Sequence, residues 1–91
     1  MEDKKYYHFK LEEINGEQEY SYDYLIEAAS LSQAAEIAEA YAGSFYNDKP
    51  EIIDGGYIFF DGTIAVEVAS VIETTKEDFV QNMLREKTIT A

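Results

Sequence analysis

The chain has 91 residues, with 19 acidic and 7 basic side chains and a formal charge of −12 at neutral pH. That length supports one domain with a modest core, and 46% hydrophobic residues support folding despite the charge, because disorder needs low hydrophobicity as well. The sign disfavours direct contact with nucleic acid or anionic membranes, which bind through Lys and Arg, and the absence of cysteine removes disulfides, thiolate nucleophiles and Cys-ligated zinc.

From Tyr6 to Ile26 apolar and polar residues alternate about Asn15-Gly16, a strong signal for a two-residue type I′ hairpin. Pairing Ile14 with Glu17 sets Leu11 opposite Tyr20, Phe9 opposite Tyr22 and Tyr7 opposite Tyr24 on one face. The other face then carries Glu12 opposite Glu19, Lys10 opposite Ser21, His8 opposite Asp23 and Lys4 opposite Glu27. A one-residue slip would exchange the two faces, so the pattern defines which residues are core.

Ser30-Leu31-Ser32-Gln33 reads as a capping box opening a helix. Its apolar stripe is Leu31, Ala34, Ala35, Ala38, Tyr41, Ala42 and Phe45, with Glu36 and Glu39 turned outward. So much alanine predicts a helix lying close to a sheet. Gly43 and Asn47-Asp48-Lys49-Pro50 end it.

A second hairpin turns at Asp61-Gly62 and pairs Phe60 with Thr63, Phe59 with Ile64 and Tyr57 with Val66. Gly55-Gly56 marks a bulge or the start of this strand pair. The last strand, Thr63 to Glu73, places Ile64, Val66, Val68 and Ile72 on one face, and Thr63, Ala65, Glu67 and Glu73 on the other. Thr74 and Glu77 can cap a short helix with Phe79, Val80, Met83 and Leu84 as its apolar stripe. The expected architecture is α+β in the order ββαββα: a four-stranded antiparallel sheet of two hairpins, helices mainly on one face, in a single domain over residues 1–91 with 86–91 as a frayed tail. Met1-Glu2-Asp3-Lys4-Lys5 leads into a strand pattern rather than a signal core, and no apolar run reaches the roughly 18 residues of a membrane span, so the expected location is cytoplasmic.

The charge is unevenly placed. Residues 11–73 hold fourteen acids against Lys49 alone, a balance of −13 between two nearly neutral ends. Ordinary surfaces mix both signs, because an extended field of one sign repels itself. Glu17, Glu19, Asp23 and Glu27 share strand parity, so residues two apart lie about 6.6–6.8 Å from one another. That is close to twice the roughly 3.4 Å rise per phosphate on one DNA strand. Glu12 beside Glu19 adds a like-charge pair that costs stability unless a cation or a basic partner occupies it. The expected binding face is Glu12, Glu17, Glu19, Asp23 and Glu27, extended by Glu36 and Glu39 on the helix. A face kept acidic for solubility alone is the alternative.

Other constellations point less strongly to chemistry. His8, the one histidine, faces Asp23, but a His–Asp pair needs a nucleophile or bound water in a cleft, and a cross-strand polar pair explains it as well. Asp48, Glu51, Asp54 and Asp61 offer oxygen ligands without the spacing of a calcium loop. The glycine pairs lack the lysine and spacing of a phosphate loop. The stripe Tyr7, Phe9, Tyr20, Tyr22 and Tyr24 would stack bases only in a positive groove. No catalytic residue, metal or cofactor is therefore expected.

The passage Tyr24-Leu25-Ile26-Glu27-Ala28-Ala29-Ser30-Leu31-Ser32-Gln33-Ala34-Ala35-Glu36 resembles a segment of small phage and gut-bacterial proteins in which a strand ends in Ala and a Ser-capped helix follows. As a short, cysteine-free, acidic domain, the chain is also similar in character to phage-encoded inhibitors such as anti-CRISPR proteins, several of which imitate DNA to occupy basic channels in nucleases. The resemblance implies a non-enzymatic inhibitor whose partner is a protein with a basic nucleic-acid-binding surface, in a host cytoplasm. The competing readings are an assembly module that pairs with a second copy or a larger protein through an open sheet edge or the Tyr6, Leu25 and Val71 surface, and a small metal-dependent protein centred on His8 and Asp23 or the loop acids.

Overall fold

The computed structural model describes residues 4–81. Five strands form one antiparallel sheet: β1 (Lys5–Asn15), β2 (Gln18–Ala28), β3 (Glu51–Ile53), β4 (Gly56–Phe59) and β5 (Ile64–Thr74), in spatial order β2-β1-β5-β4-β3. Helix α1 (Leu31–Gly43) carries the chain from the β2 edge across one face to the β3 edge. A second helix spans residues 76–81.

This corrects the expected ββαββα sheet of four strands: the order is ββαβββα with five. The missed element is β3, three residues placed directly after Pro50 and too short to show a period. It turns into β4 through Asp54-Gly55, so Gly55-Gly56 belongs to a third hairpin. The α+β class stands.

The first hairpin keeps its predicted faces but not its register. Lys5 pairs with Ala28 and Asn15 with Gln18, two residues away from the expected alignment. The turn centres on Gly16-Glu17, with Gly16 alone at positive φ (66°), the pattern of a type II′ turn rather than type I′. A shift of two preserves parity, so the aromatic face survives while each cross-strand partner changes. The Asp61-Gly62 turn is as expected: both residues lie at positive φ, the Thr63 amide donates to the Phe60 carbonyl, and Phe59 and Tyr57 pair with Ile64 and Val66. Phe60 is itself left-handed at φ 53°, and its strand ends at Phe59 instead of continuing to a Phe60–Thr63 pair.

Ser30 caps α1 by accepting from the Gln33 amide at 3.1 Å, and the Gln33 carbonyl oxygen reaches back to accept from Ala29 at 2.7 Å. Ala34, Ala38 and Ala42, one turn apart, are fully buried. With only methyl groups between them, helix and sheet approach closely, over a core of Tyr7, Phe9, Leu11, Ile26, Phe59, Ile64 and Val66. Each such large side chain contributes about 1.5–3 kcal/mol relative to exposure.

A bulge in β5 makes the other correction. Leu11 pairs with Val68 but Lys10 with Ser70, so Ala69 is extra and the parity of β5 changes there. Val71 therefore packs on the core, whereas Ile72 is turned out and 61% exposed. The helix at 76–81 is capped by Thr75, whose hydroxyl accepts from the Asp78 amide at 3.0 Å, and not by Thr74 and Glu77. Its Phe79 ring stands edge-on against His8, 5.3 Å between centroids, so it meets the sheet face opposite α1 rather than sharing the α1 side. Met83, Leu84 and the expected tail at 86–91 lie outside the described residues. No helix among the described residues is long and apolar enough to cross a membrane.

Candidate functional site: an acid-rimmed sheet face

The sheet face away from α1 is assembled by strand alternation. Since Leu11 and Val66 are buried under α1, Glu12 and Glu67 point the other way, and they are direct partners across β1 and β5. Ile14 follows on β1, paired with Glu19 on β2 and Ala65 on β5. Glu12, Ile14, Glu19, Ser21 and Glu67 line one shallow depression, and Ile14, Ala65, Ile53 and Asp54 join Glu12 and Glu67 in the next. Ile14 and Ile53 are 48% and 43% exposed. The result is a small apolar centre with a carboxylate rim.

A Glu12–Glu67 pair facing each other across adjacent strands is a like-charge contact that disfavours the fold. Among the described residues, the close contacts between basic and acidic side chains are Lys4–Glu27 at 3.7 Å and the His8–Asp23 hydrogen bond at 2.7 Å, both toward the opposite end of the hairpin. None of Glu12, Glu19 and Glu67 has a basic partner there.

The seven acids expected to form one face are thus divided. Glu12 and Glu19 share the open face near the hairpin tip but are not opposite one another, since Glu12 pairs with Ser21. Glu17 occupies the turn. Asp23 and Glu27 are on the open face beside His8 and Lys4 respectively, and Glu27 also raises the Tyr6 phenol pKa by accepting its hydrogen bond. Glu36 and Glu39 lie on α1, on the far side of the sheet. The Glu39 carboxylate accepts from the Tyr57 hydroxyl at 2.7 Å and holds that phenol pKa above its ordinary value. Glu67, noted in the sequence only as an outward residue of the last strand, replaces them in the cluster.

His8 and Asp23 meet as expected, though diagonally, because the register sets His8 opposite Leu25 and Lys10 opposite Asp23. The imidazole Nε2 donates to Asp23 Oδ1, and Phe79 flanks the ring. Of the loop acids, Asp48 accepts from the Phe60 amide at 2.8 Å and thereby holds the strained turn. Among the described residues no group of three or more His, Asp or Glu is placed to hold a metal ion.

One charged residue escaped the sequence reading. Glu13 sits on the core face, 1% exposed, and both its carboxylate oxygens accept phenolic hydrogens, from Tyr22 at 2.9 Å and from Tyr46. These hydrogen bonds, with burial, raise both phenol pKa values, that of Tyr46 to about 12. An acid at a core-parity position between tyrosines was the available signal.

The chain matches no known family model, no curated protein and no solved structure.

Proposed function

We propose that the protein is a non-enzymatic binding protein that docks the Glu12, Glu19 and Glu67 face on a basic, nucleic-acid-binding surface of a partner protein, after the manner of the phage inhibitors it resembles. The observation that supports this is a concentrated acidic rim, including a directly opposed Glu12–Glu67 pair, around an exposed apolar centre. An interface with an apolar core and a charged rim is the ordinary plan of protein recognition, and the rim fixes partner choice and encounter rate. A surface kept acidic only for solubility has no need of carboxylates paired at a cost to stability. The partner's Lys or Arg side chains relieve that repulsion, so part of the binding energy is already stored in the free protein. Such partners act in the cytoplasm, where the protein would meet them.

The test is recovery of host proteins on the immobilised chain at low and high salt, beside the Glu12→Gln, Glu19→Gln, Glu67→Gln variant. Basic nucleases or polymerases should be retained at low salt, elute as salt rises and be absent from the variant. Equal recovery on the variant would refute the proposal.

A further inference from the structure

The two edges of the sheet are treated differently. β3 is three residues long and follows Pro50, which is how an edge is ordinarily kept from pairing. β2 runs for eleven residues, about 36 Å at roughly 3.3 Å per residue, with neither Pro nor Lys. Its pairing with β1 is continuous over all eleven positions, so no bulge twists it away. Among the described residues no strand lies on its outer side.

A groove runs beside this edge. It is bounded by Tyr24 and Ile26 of β2, Phe9 beneath them, and Ile37 and Tyr41 of α1, and encloses about 340 Å³. Ile37 and Tyr41 are 42% and 43% exposed, although both belong to the helix that covers the core. A strand added to β2 would send every second side chain over this groove and the alternate ones to the open face, beside Glu19, Asp23 and Glu27.

We infer that β2 accepts an extended segment of a partner protein as a sixth strand, with apolar side chains entering the α1–β2 groove and Lys or Arg alternating with them toward the open-face acids. The charge selects the occupant. A second copy of β2 would bring Glu19, Asp23 and Glu27 against their own equivalents, and like charges on neighbouring strands disfavour pairing. A basic strand meets complementary charge instead, and its backbone amides and carbonyls pair along an edge that is already formed. The inference rests on the proposed acidic docking face only for the choice of a basic occupant.

The probe is a synthetic peptide of about nine residues alternating lysine with valine, compared with the same peptide N-methylated at every second amide. Methylation keeps the charge but removes strand pairing. The unmodified peptide should bind saturably, perturb amide resonances along Gln18–Ala28, and lose roughly tenfold or more in affinity on methylation. Ile37→Glu, an exposed change that leaves the core intact, should weaken it similarly. Equal, salt-sensitive binding of both peptides overturns the sixth strand and leaves the acidic docking face standing. Binding that requires the free amides but is unaffected by Glu12→Gln, Glu19→Gln and Glu67→Gln supports the strand and removes support from that face. Failure of the unmodified peptide to bind, or concentration-dependent pairing of β2 with a second copy, overturns the inference.

Discussion

Replacing Tyr46 with Phe removes one hydroxyl from the buried Glu13 and leaves the ring against Phe45, Phe59 and Phe60. Since Glu13 is 1% exposed, the orphaned carboxylate oxygen has no water to replace the phenol, and a buried acceptor left unpaired costs about 1–3 kcal/mol. In a domain of this size each kcal/mol moves the melting midpoint by roughly 4–8 °C, so a loss of about 2 kcal/mol lowers it by about 8–16 °C. Removing both donors, in Tyr22→Phe with Tyr46→Phe, strands the whole carboxylate and should cost about 3–5 kcal/mol. Adding Glu13→Leu to that pair removes the charge as well, and much of the lost stability should return, because an apolar replacement of a complete buried polar group is far less costly than half of one. Thermal unfolding followed by circular dichroism reads all three. A Tyr46→Phe midpoint within about 2 °C of the parent, or a triple variant less stable than the double, would refute a buried, doubly bonded Glu13.

Other expectations follow from the same geometry. The raised Tyr46 pKa favours the protonated phenol in the folded state, so its contribution is complete below the ordinary tyrosine value near 10 and is lost as pH rises through about 12. Ultraviolet titration should show a late tyrosinate component that is smaller by one tyrosine in Tyr46→Phe; an unchanged curve would contradict it. At Gly56 an added Cβ would lie 2.8 Å from the Val66 carbonyl oxygen, so Gly56→Ala should force β4 from β5 and cost about 1–3 kcal/mol by urea unfolding, whereas an unchanged midpoint would deny the close approach. Glu67→Lys converts the Glu12–Glu67 contact to an attractive one and should raise stability by about 0.2–1 kcal/mol while weakening binding of a basic partner. Lower stability for that variant would show that the opposed carboxylates cost nothing.

In the first hairpin parity was legible in the sequence and register was not. Alternation from Tyr6 to Ile26 separates core from surface whatever the pairing, because side chains change face with every residue. The choice between Asn15-Gly16 and Gly16-Glu17 as the central pair depends on which residue takes positive φ, and glycine satisfies either turn, so the partners of His8 and Glu12 stayed two positions out. The bulge at Ala69 leaves no local signature, yet it decides that Val71 is core and Ile72 is surface. Of the proposed binding face, Glu12 and Glu19 were legible as outward acids. Their neighbour Glu67 arrives through the long-range pairing of β1 with β5, which brings the first and last strands together at the centre of the sheet. Glu36 and Glu39 were assigned outward correctly but to the wrong side, since one helix face says nothing about which sheet face the acids of β1 and β2 occupy.

Under the proposed function, the acidic face of Glu12, Glu19 and Glu67 occupies the surface on which a partner otherwise holds nucleic acid. This is tested most directly by titrating the protein into a basic nuclease carrying a fluorescent DNA duplex and following release of the duplex by anisotropy. The parent chain should displace the duplex, more weakly as salt screens the attraction beyond about 8–10 Å. The Glu12→Gln, Glu19→Gln, Glu67→Gln variant, losing about 0.5 kcal/mol per rim charge, should need roughly tenfold more protein. Displacement by the variant at the parent's concentration, or displacement indifferent to salt, would contradict the account.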